Sequence, residues 1–240
     1  MRYVSDFLVQ DVLDAGLPPQ IEFPLKSGED KYVVLVSGLR VGSSTSNSLW
    51  FQLFIDHITA HLGDEKDFAK VFETIRKLDI LLSQIAAGLP LDIMSGHSDP
   101  ANFSLPQQSL HGCLFPGSST YNTFSSCTNP HCFELDNVRF LGTSGQNVDD
   151  LENYSDAKDK LEFMERTLRW RHLASTAPNI LGCFPYTERD PFFIESCPHV
   201  YFVGNQDKFE THHKGYFYSK INIAVAEIKV TLLLLYDPQF

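Results

Sequence analysis

Pro90-Leu91-Asp92-Ile93-Met94-Ser95-Gly96-His97-Ser98-Asp99-Pro100 sets a short apolar run directly before a loop of Gly, His, Asp and Pro. Leu91 to Met94 reads as a strand. Open α/β sheets place their chemistry in such loops, beyond the carboxyl ends of the strands. In a metal-dependent hydrolase Gly96, His97 and Asp99 would surround the reacting group; otherwise they shape a corner. The reading of this stretch decides between an enzyme and a relic.

Three further runs end in the same way. Tyr32-Val33-Val34-Leu35-Val36 is continuous and mostly β-branched, the pattern of a strand buried on both faces in a parallel sheet, and it runs into Ser37-Gly38. Val138 to Leu141 leads into Gly142-Thr143-Ser144-Gly145-Gln146-Asn147, and Cys197 to Val203 leads into Gly204-Asn205. Corners of this kind meeting at one sheet edge have the layout of an active site. Two-metal hydrolysis also needs a dense ring of Asp and His to hold two cations and a bridging water. That ring is missing. The first corner offers Ser37 and Leu39 and the last Asn205. Only the second carries His97 and Asp99, and Pro100 restricts the backbone of Asp99. These residues argue against a catalytic metal, and no cofactor is expected.

Other constellations are weaker still. Gly142-x-x-Gly145 lacks the length and the lysine of a phosphate-binding loop, and it is not the Gly-x-Ser-x-Gly elbow of a serine hydrolase. Ser144 with His172 or His199 as base requires a proximity that spacing does not supply. Cys127, His131 and Cys132 suggest zinc, but no second ligand pair follows. The five cysteines are odd in number and mostly far apart, so reduced thiols are expected. Lys160, Arg166, Arg169 and Arg171 are interleaved with Asp159, Glu162 and Glu165, the pattern of a solvated, salt-bridged helix face.

A net charge of -11 speaks against a surface that grips phosphates for itself, so any role with DNA is expected to be indirect. Hydrophobic residues make up 43% and charged residues 20% of the 240, the balance of a folded chain with a sizeable core. Val230 to Tyr236 is far shorter than the roughly 20 apolar residues of a membrane span and reads as a buried strand.

Along the chain, residues 1–13 alternate as a strand with no earlier partner, and 14–30 read as a proline-rich linker. A helix is expected from Leu49 to Leu62, and an amphipathic one over 67–87 from the spacing of Phe68, Val71, Phe72, Ile75, Leu78, Leu82 and Ile85. Helix thus follows helix where a βαβ layout would return to the sheet. Residues 100–136 read as loop, 148–154 as a short helix, and Ser155 or Asp156 as the cap of another carrying Leu161, Met164 and Leu168. Ile221 to Tyr236 suggests one or two terminal strands.

Several of these stretches together resemble the small, regulatory B subunits of eukaryotic DNA polymerase delta. The resemblance rests on VVLVSG (33–38), LDIMSGHSDPANFSLPQQ (91–108), VRFLGTSGQNV (138–148), Arg171-His172, Thr176-Ala177-Pro178, Leu181-Gly182-Cys183 and CPHVYFVGN (197–205). It covers roughly residues 1–211, and the linker-like beginning resembles plant members. It implies a calcineurin-like phosphoesterase fold of α/β class, a β-sandwich flanked by helices, preceded by an OB domain. It also implies a degenerate active site in eukaryotic members, whereas archaeal relatives keep metal ligands and act as nucleases. Gly96, His97 and Asp99 stand where active relatives have a Gly-Asn-His-Asp corner, Gly204 and Asn205 where they have Gly-His, and Ser37 and Leu39 replace Asp and His. The implied role is non-catalytic: a nuclear scaffold that binds the C-terminal domain of the polymerase catalytic subunit and a third accessory subunit, with no membrane. The competing reading is a metal-dependent phosphoesterase or 3'-5' nuclease using His97 and Asp99.

On this resemblance residues 1–13 are the last strand of a missing OB domain, 14–30 a linker, 31–211 an inactive phosphoesterase-like domain and 212–240 an atypical C-terminal tail. The family has a further strand where Gly63-Asp64-Glu65-Lys66 here runs directly into Asp67-Phe68. These departures imply a truncated or alternatively spliced product, or a faulty gene model.

Overall fold

Alternation along two strands explains how the chain layers. The computed structural model describes residues 11, 13–20, 32–37, 73–97, 99, 101–157, 159–216, 219–227 and 231–236. In β6 (Val200–Gln206), Val200 and Phe202 turn to one face, where they pack with Val33 and Leu35 of β1 (Tyr32–Val36). Tyr201 and Val203 turn to the other face, against helices. With apolar residues at four successive positions, Val200 to Val203, a period of two packs both faces of this stretch.

The first sheet has the order β1-β9-β2-β3, with β2 at Leu91–Met94, β3 at Phe124–Cys127 and β9 at Thr231–Tyr236. The second has the order β4-β5-β6-β8-β7, with β4 at His131–Leu135, β5 at Val138–Thr143, β7 at Glu210–Tyr216 and β8 at Ser219–Glu227. Helix α1 (Glu73–Ala86) covers the outer face of the first sheet, where Leu82, Ile85 and Ala86 meet Val36, Leu91 and Ile93. Helices α2 (Gln146–Glu152) and α3 (Lys160–Trp170) cover the second, with Val148, Leu151, Phe163, Met164 and Leu168 against Leu141, Tyr201 and Val203. The architecture is mixed α/β, with two sheets between helices. No helix among the described residues is long and apolar enough to cross a membrane.

Buried polar groups on these layers are satisfied locally. Asp79 on α1 is 5% exposed and accepts from Gly117 N (2.7 Å), Ser118 N (2.8 Å) and Ser118 Oγ (2.7 Å), which pins the 112–120 segment to the helix.

Several expectations change. β1 pairs antiparallel with β9, not in a parallel sheet, and Val34 is 37% exposed. An apolar run specifies a strand but not the direction of its partner, and that partner comes from the far end of the chain. β3 and β4 lie in the segment read as loop. Ser125, Ser126, His131 and Glu134 dilute their apolar pattern, and pairing with β2 and β5 supplies what propensity does not. Helix α3 is capped by Asp159, whose Oδ1 accepts from Leu161 N (2.9 Å), and not by Ser155 or Asp156. The boundary drawn between 211 and 212 falls inside β7, and the residues beyond it supply β8 and β9 to the two sheets. Residues 13–20 form no strand or helix but are held: Arg171 donates to the carbonyls of Ala15, Gly16 and Leu17, and Cys197 N donates to Pro19 O (3.1 Å). The strand expected over 1–13, save Asp11 and Leu13, the rest of the linker, the helix at 49–62 and Gly38 lie outside the described residues.

Candidate functional site

Side-chain amides, each with two donors and an acceptor, tie the strand ends together. Ser37 closes β1; it is 2% exposed, and its Oγ accepts from Asn205 N (3.0 Å). Gly204-Asn205 is not a strand end as expected. It is a bulge inside β6, where the register with β8 shifts between Val203 and Gln206. Asn205 sits at φ 59°, in the left-handed region that Asn tolerates better than most residues. The bulge re-aims its side chain, so that Nδ2 donates to Ser144 O (2.6 Å).

Ser144, 1% exposed, meets Asn129 twice: its N donates to Asn129 Oδ1 (3.1 Å) and its Oγ accepts from Asn129 Nδ2 (2.6 Å). Asn129 Nδ2 also reaches Gln107 Oε1 (2.7 Å) and Gln146 Oε1 (3.0 Å), and Gln146 Nε2 donates to Gln107 Oε1 (2.8 Å). Gln107, fully buried, closes the chain by donating to Gly96 O (3.1 Å). The path Ser37–Asn205–Ser144–Asn129–Gln107–Gly96 therefore touches all four corners. Every link in it is a neutral amide, hydroxyl or backbone group.

The remaining expected residues serve the backbone. Asp99 Oδ2 accepts from Gly96 N (2.7 Å), closing its own loop. Burial pushes the Asp99 carboxyl above its ordinary pKa, and the Gly96 N–H opposes this in part. His97 is exposed at the rim of a cleft of 880 Å³. Gly142 is not a corner: it lies within β5, where a Cβ would collide with the Phe202 ring, so only glycine leaves that ring its place. Gly145 caps α2 at φ 106°, and a Cβ on it would stand 2.5 Å from Gly204 O, so two of the corners are in direct contact. Asn147 faces inward, accepting from Thr143 Oγ1 (2.9 Å) and donating to Leu173 O (2.8 Å). His172 pairs with Asp190 (2.8 Å) and His199 Nδ1 accepts from Arg139 N (2.9 Å), so neither serves Ser144 as a base.

Sequence reasoning did not single out Gln107, Asn129 and Gln146. Gln107 and Gln146 lie within the LPQQ and GTSGQN stretches; Asn129 carried no signal of its own.

The cleft beside the corners is acidic. Asp149, Asp150 and Glu152 line it, and Lys160 there is already paired with Asp149 (3.0 Å) and Glu152 (2.7 Å). Those pairs hold the Lys160 ammonium above its ordinary pKa although burial pulls the other way. Among the described residues, one group of three brings metal-ligating atoms within 4.8 Å of one another, and it lies away from the corners: Asp92, Cys127 and His131. Burial, with the Asp92 carboxylate adding to it, pushes the Cys127 thiol up to about 12.

Comparison with known proteins gives this arrangement its family. The family of DNA polymerase alpha/epsilon B subunits matches residues 42–211, a span that contains three of the four corners. The chain belongs to this family. It is similar to the DNA polymerase delta small subunit of Oryza sativa subsp. japonica, with 61% identity over 240 aligned positions covering 86% of this chain and 56% of the relative. The protein of the same name from Arabidopsis thaliana is 60% identical over 239 positions, 86% of this chain and 54% of the relative. DNA polymerase delta subunit 2 of Drosophila melanogaster is 46% identical over 144 positions, 60% of this chain and 33% of the relative. The chain spans about half the length of the two plant relatives.

Proposed function

We propose that the chain acts as a non-catalytic accessory subunit of DNA polymerase delta, a scaffold in nuclear DNA replication rather than an enzyme. The observation that carries this reading is the neutrality of the corner network. A phosphoesterase centre needs anionic and imidazole ligands turned toward a shared cation, and here the strand ends spend their polar groups on each other. The acidic cleft supports an indirect role with DNA, since Asp149, Asp150 and Glu152 oppose a phosphodiester backbone. Phe103 and Ile180, 80% and 59% exposed, lie on the walls of the same cleft, apolar surface of the kind that protein partners cover.

The partners on this reading are the C-terminal domain of the catalytic subunit and a third accessory subunit. The fold on this reading is a calcineurin-like phosphoesterase sandwich whose site has lost its ligands. Two measurements test the proposal. Co-expressed with the polymerase delta catalytic subunit, the chain is expected to co-purify with it; separation of the two through size exclusion overturns the scaffold. Supplied with manganese and a 3'-labelled oligonucleotide, the chain is expected to release no nucleotide. Release that disappears in His97→Ala would establish the nuclease reading instead.

A further inference from the structure

Asp92, Cys127 and His131 come from three strands and both sheets. β2 and β3 are parallel neighbours, with Asp92 opposite Ser125 and Met94 opposite Cys127, so the Asp92 and Cys127 side chains rise from one face of the first sheet. Thr128, Asn129 and Pro130 then carry the chain across to His131, which opens β4 and pairs with Gly142 in the second sheet. His131 Nε2 stands 3.1 Å from Asp92 Oδ2. The ring of His131 is stacked on Phe133 (centroids 5.5 Å apart, 20° between planes), and Phe133 on Phe140 (4.5 Å, 9°), which holds the imidazole's plane.

The plain reading is a histidine–aspartate pair with a thiol beside it. The spacing and the donor types carry further. One oxygen, one sulfur and one nitrogen lie within 4.8 Å of each other. Ligands around a tetrahedral zinc ion, at bond lengths of about 2.0–2.3 Å, stand roughly 3.3–3.8 Å apart. The three donor atoms are thus already near the spacing that one shared ion requires. Thiolate and imidazole donors select zinc-like ions over magnesium or calcium, which prefer oxygen alone. His131 and Asp92 are 18% and 23% exposed at the side chain, so one side of the cluster faces solvent and leaves a coordination position for water.

We infer that Asp92, Cys127 and His131 form a binding site for one zinc-class divalent cation that clasps the first sheet to the second. Binding replaces the S–H bond of Cys127 by a sulfur–metal bond, and the proton passes to solvent. The ligand set differs from the one that the sequence suggests. Cys132, next to His131, alternates to the opposite face of β4 and is exposed. Its place is taken by Asp92, thirty-nine positions upstream of His131.

Cobalt(II) is the probe for the test, because thiolate ligation gives it a near-ultraviolet charge-transfer band. The full chain, stripped of metal with a chelator, is expected to bind one equivalent with that band, and zinc is expected to displace it. Cys127→Ser should abolish the band. His131→Gln should weaken binding by at least about tenfold, the loss that even an outer-shell change produces. Cys132→Ser should leave both unchanged. No stoichiometric binding, a band that survives Cys127→Ser, or a band lost in Cys132→Ser overturns the site. A measurement without variants guards against misfolding: one equivalent of zinc should slow iodoacetamide labelling of Cys127 at least about tenfold, as mapped by mass spectrometry, and leave the exposed Cys113 unaffected. Equal labelling rates at Cys127 with and without zinc also overturn it.

Discussion

Two polar clusters in this chain differ in chemistry. The corner network sits at the sheet edge, where the fold would place an active site, and consists of amides and hydroxyls that hydrogen-bond one another. The Asp92–Cys127–His131 group sits where the chain crosses between sheets and consists of a carboxylate, a thiol and an imidazole, donor types suited to a metal ion. Position alone therefore does not make a site. A Gln or Asn can fill the space of a ligand and knit strand ends together, yet it offers a cation only a neutral carbonyl.

This contrast can be broken at several points. The largest effect is expected for Gly145→Ala. It forces a side chain into left-handed backbone and against Gly204 O, and should cost about 3 kcal/mol of stability in urea unfolding. A loss under about 1 kcal/mol would mean that the corners are not packed together. Next is Asn129→Leu, nearly equal in shape, which strips partners from Gln107, Ser144 and Gln146. It should cost about 2–3 kcal/mol, with no change in that cost between about pH 5 and 8, because amides do not titrate there. Additivity with Gln107→Leu would dissolve the network into independent bonds. In the metal-free chain Asp92→Asn should cost only about 1 kcal/mol, since it keeps a hydrogen-bonding group beside His131. A larger cost would make the pair, and not a cation, the reason for the cluster. The smallest effect is expected for Arg166→Ala on the exposed face of α3, where the pair with Glu162 is worth about 0.3–0.5 kcal/mol in thermal melts.

Much of the fold was legible. β1, β2, β5 and β6 each stand on an apolar run, and α1 on apolar residues three and four apart, because burial against a neighbour leaves a periodic mark. β3 and β4 left no such mark, being short and half-exposed. The residue types at the corners are themselves a matter of sequence: Ser37 and Asn205 are not the Asp and His that a two-metal centre requires. The network that joins the corners was not legible, because Asn129 reads as an ordinary loop residue until its partners 15 and 22 positions away are beside it.

By itself the sequence determined the local matters: which segments extend, which coil, which groups could carry charge, and to which family the motifs point. Tertiary structure alone decided adjacency. It set β9, from the C-terminal region, between β1 and β2, and turned an expected strand end at Asn205 into a bulge. It also exchanged Cys132 for Asp92 beside Cys127 and His131. The physical reason is the same throughout. Periodicity and composition record whether a residue is buried and how its backbone runs, while the identity of a long-range neighbour depends on how whole sheets pair and stack.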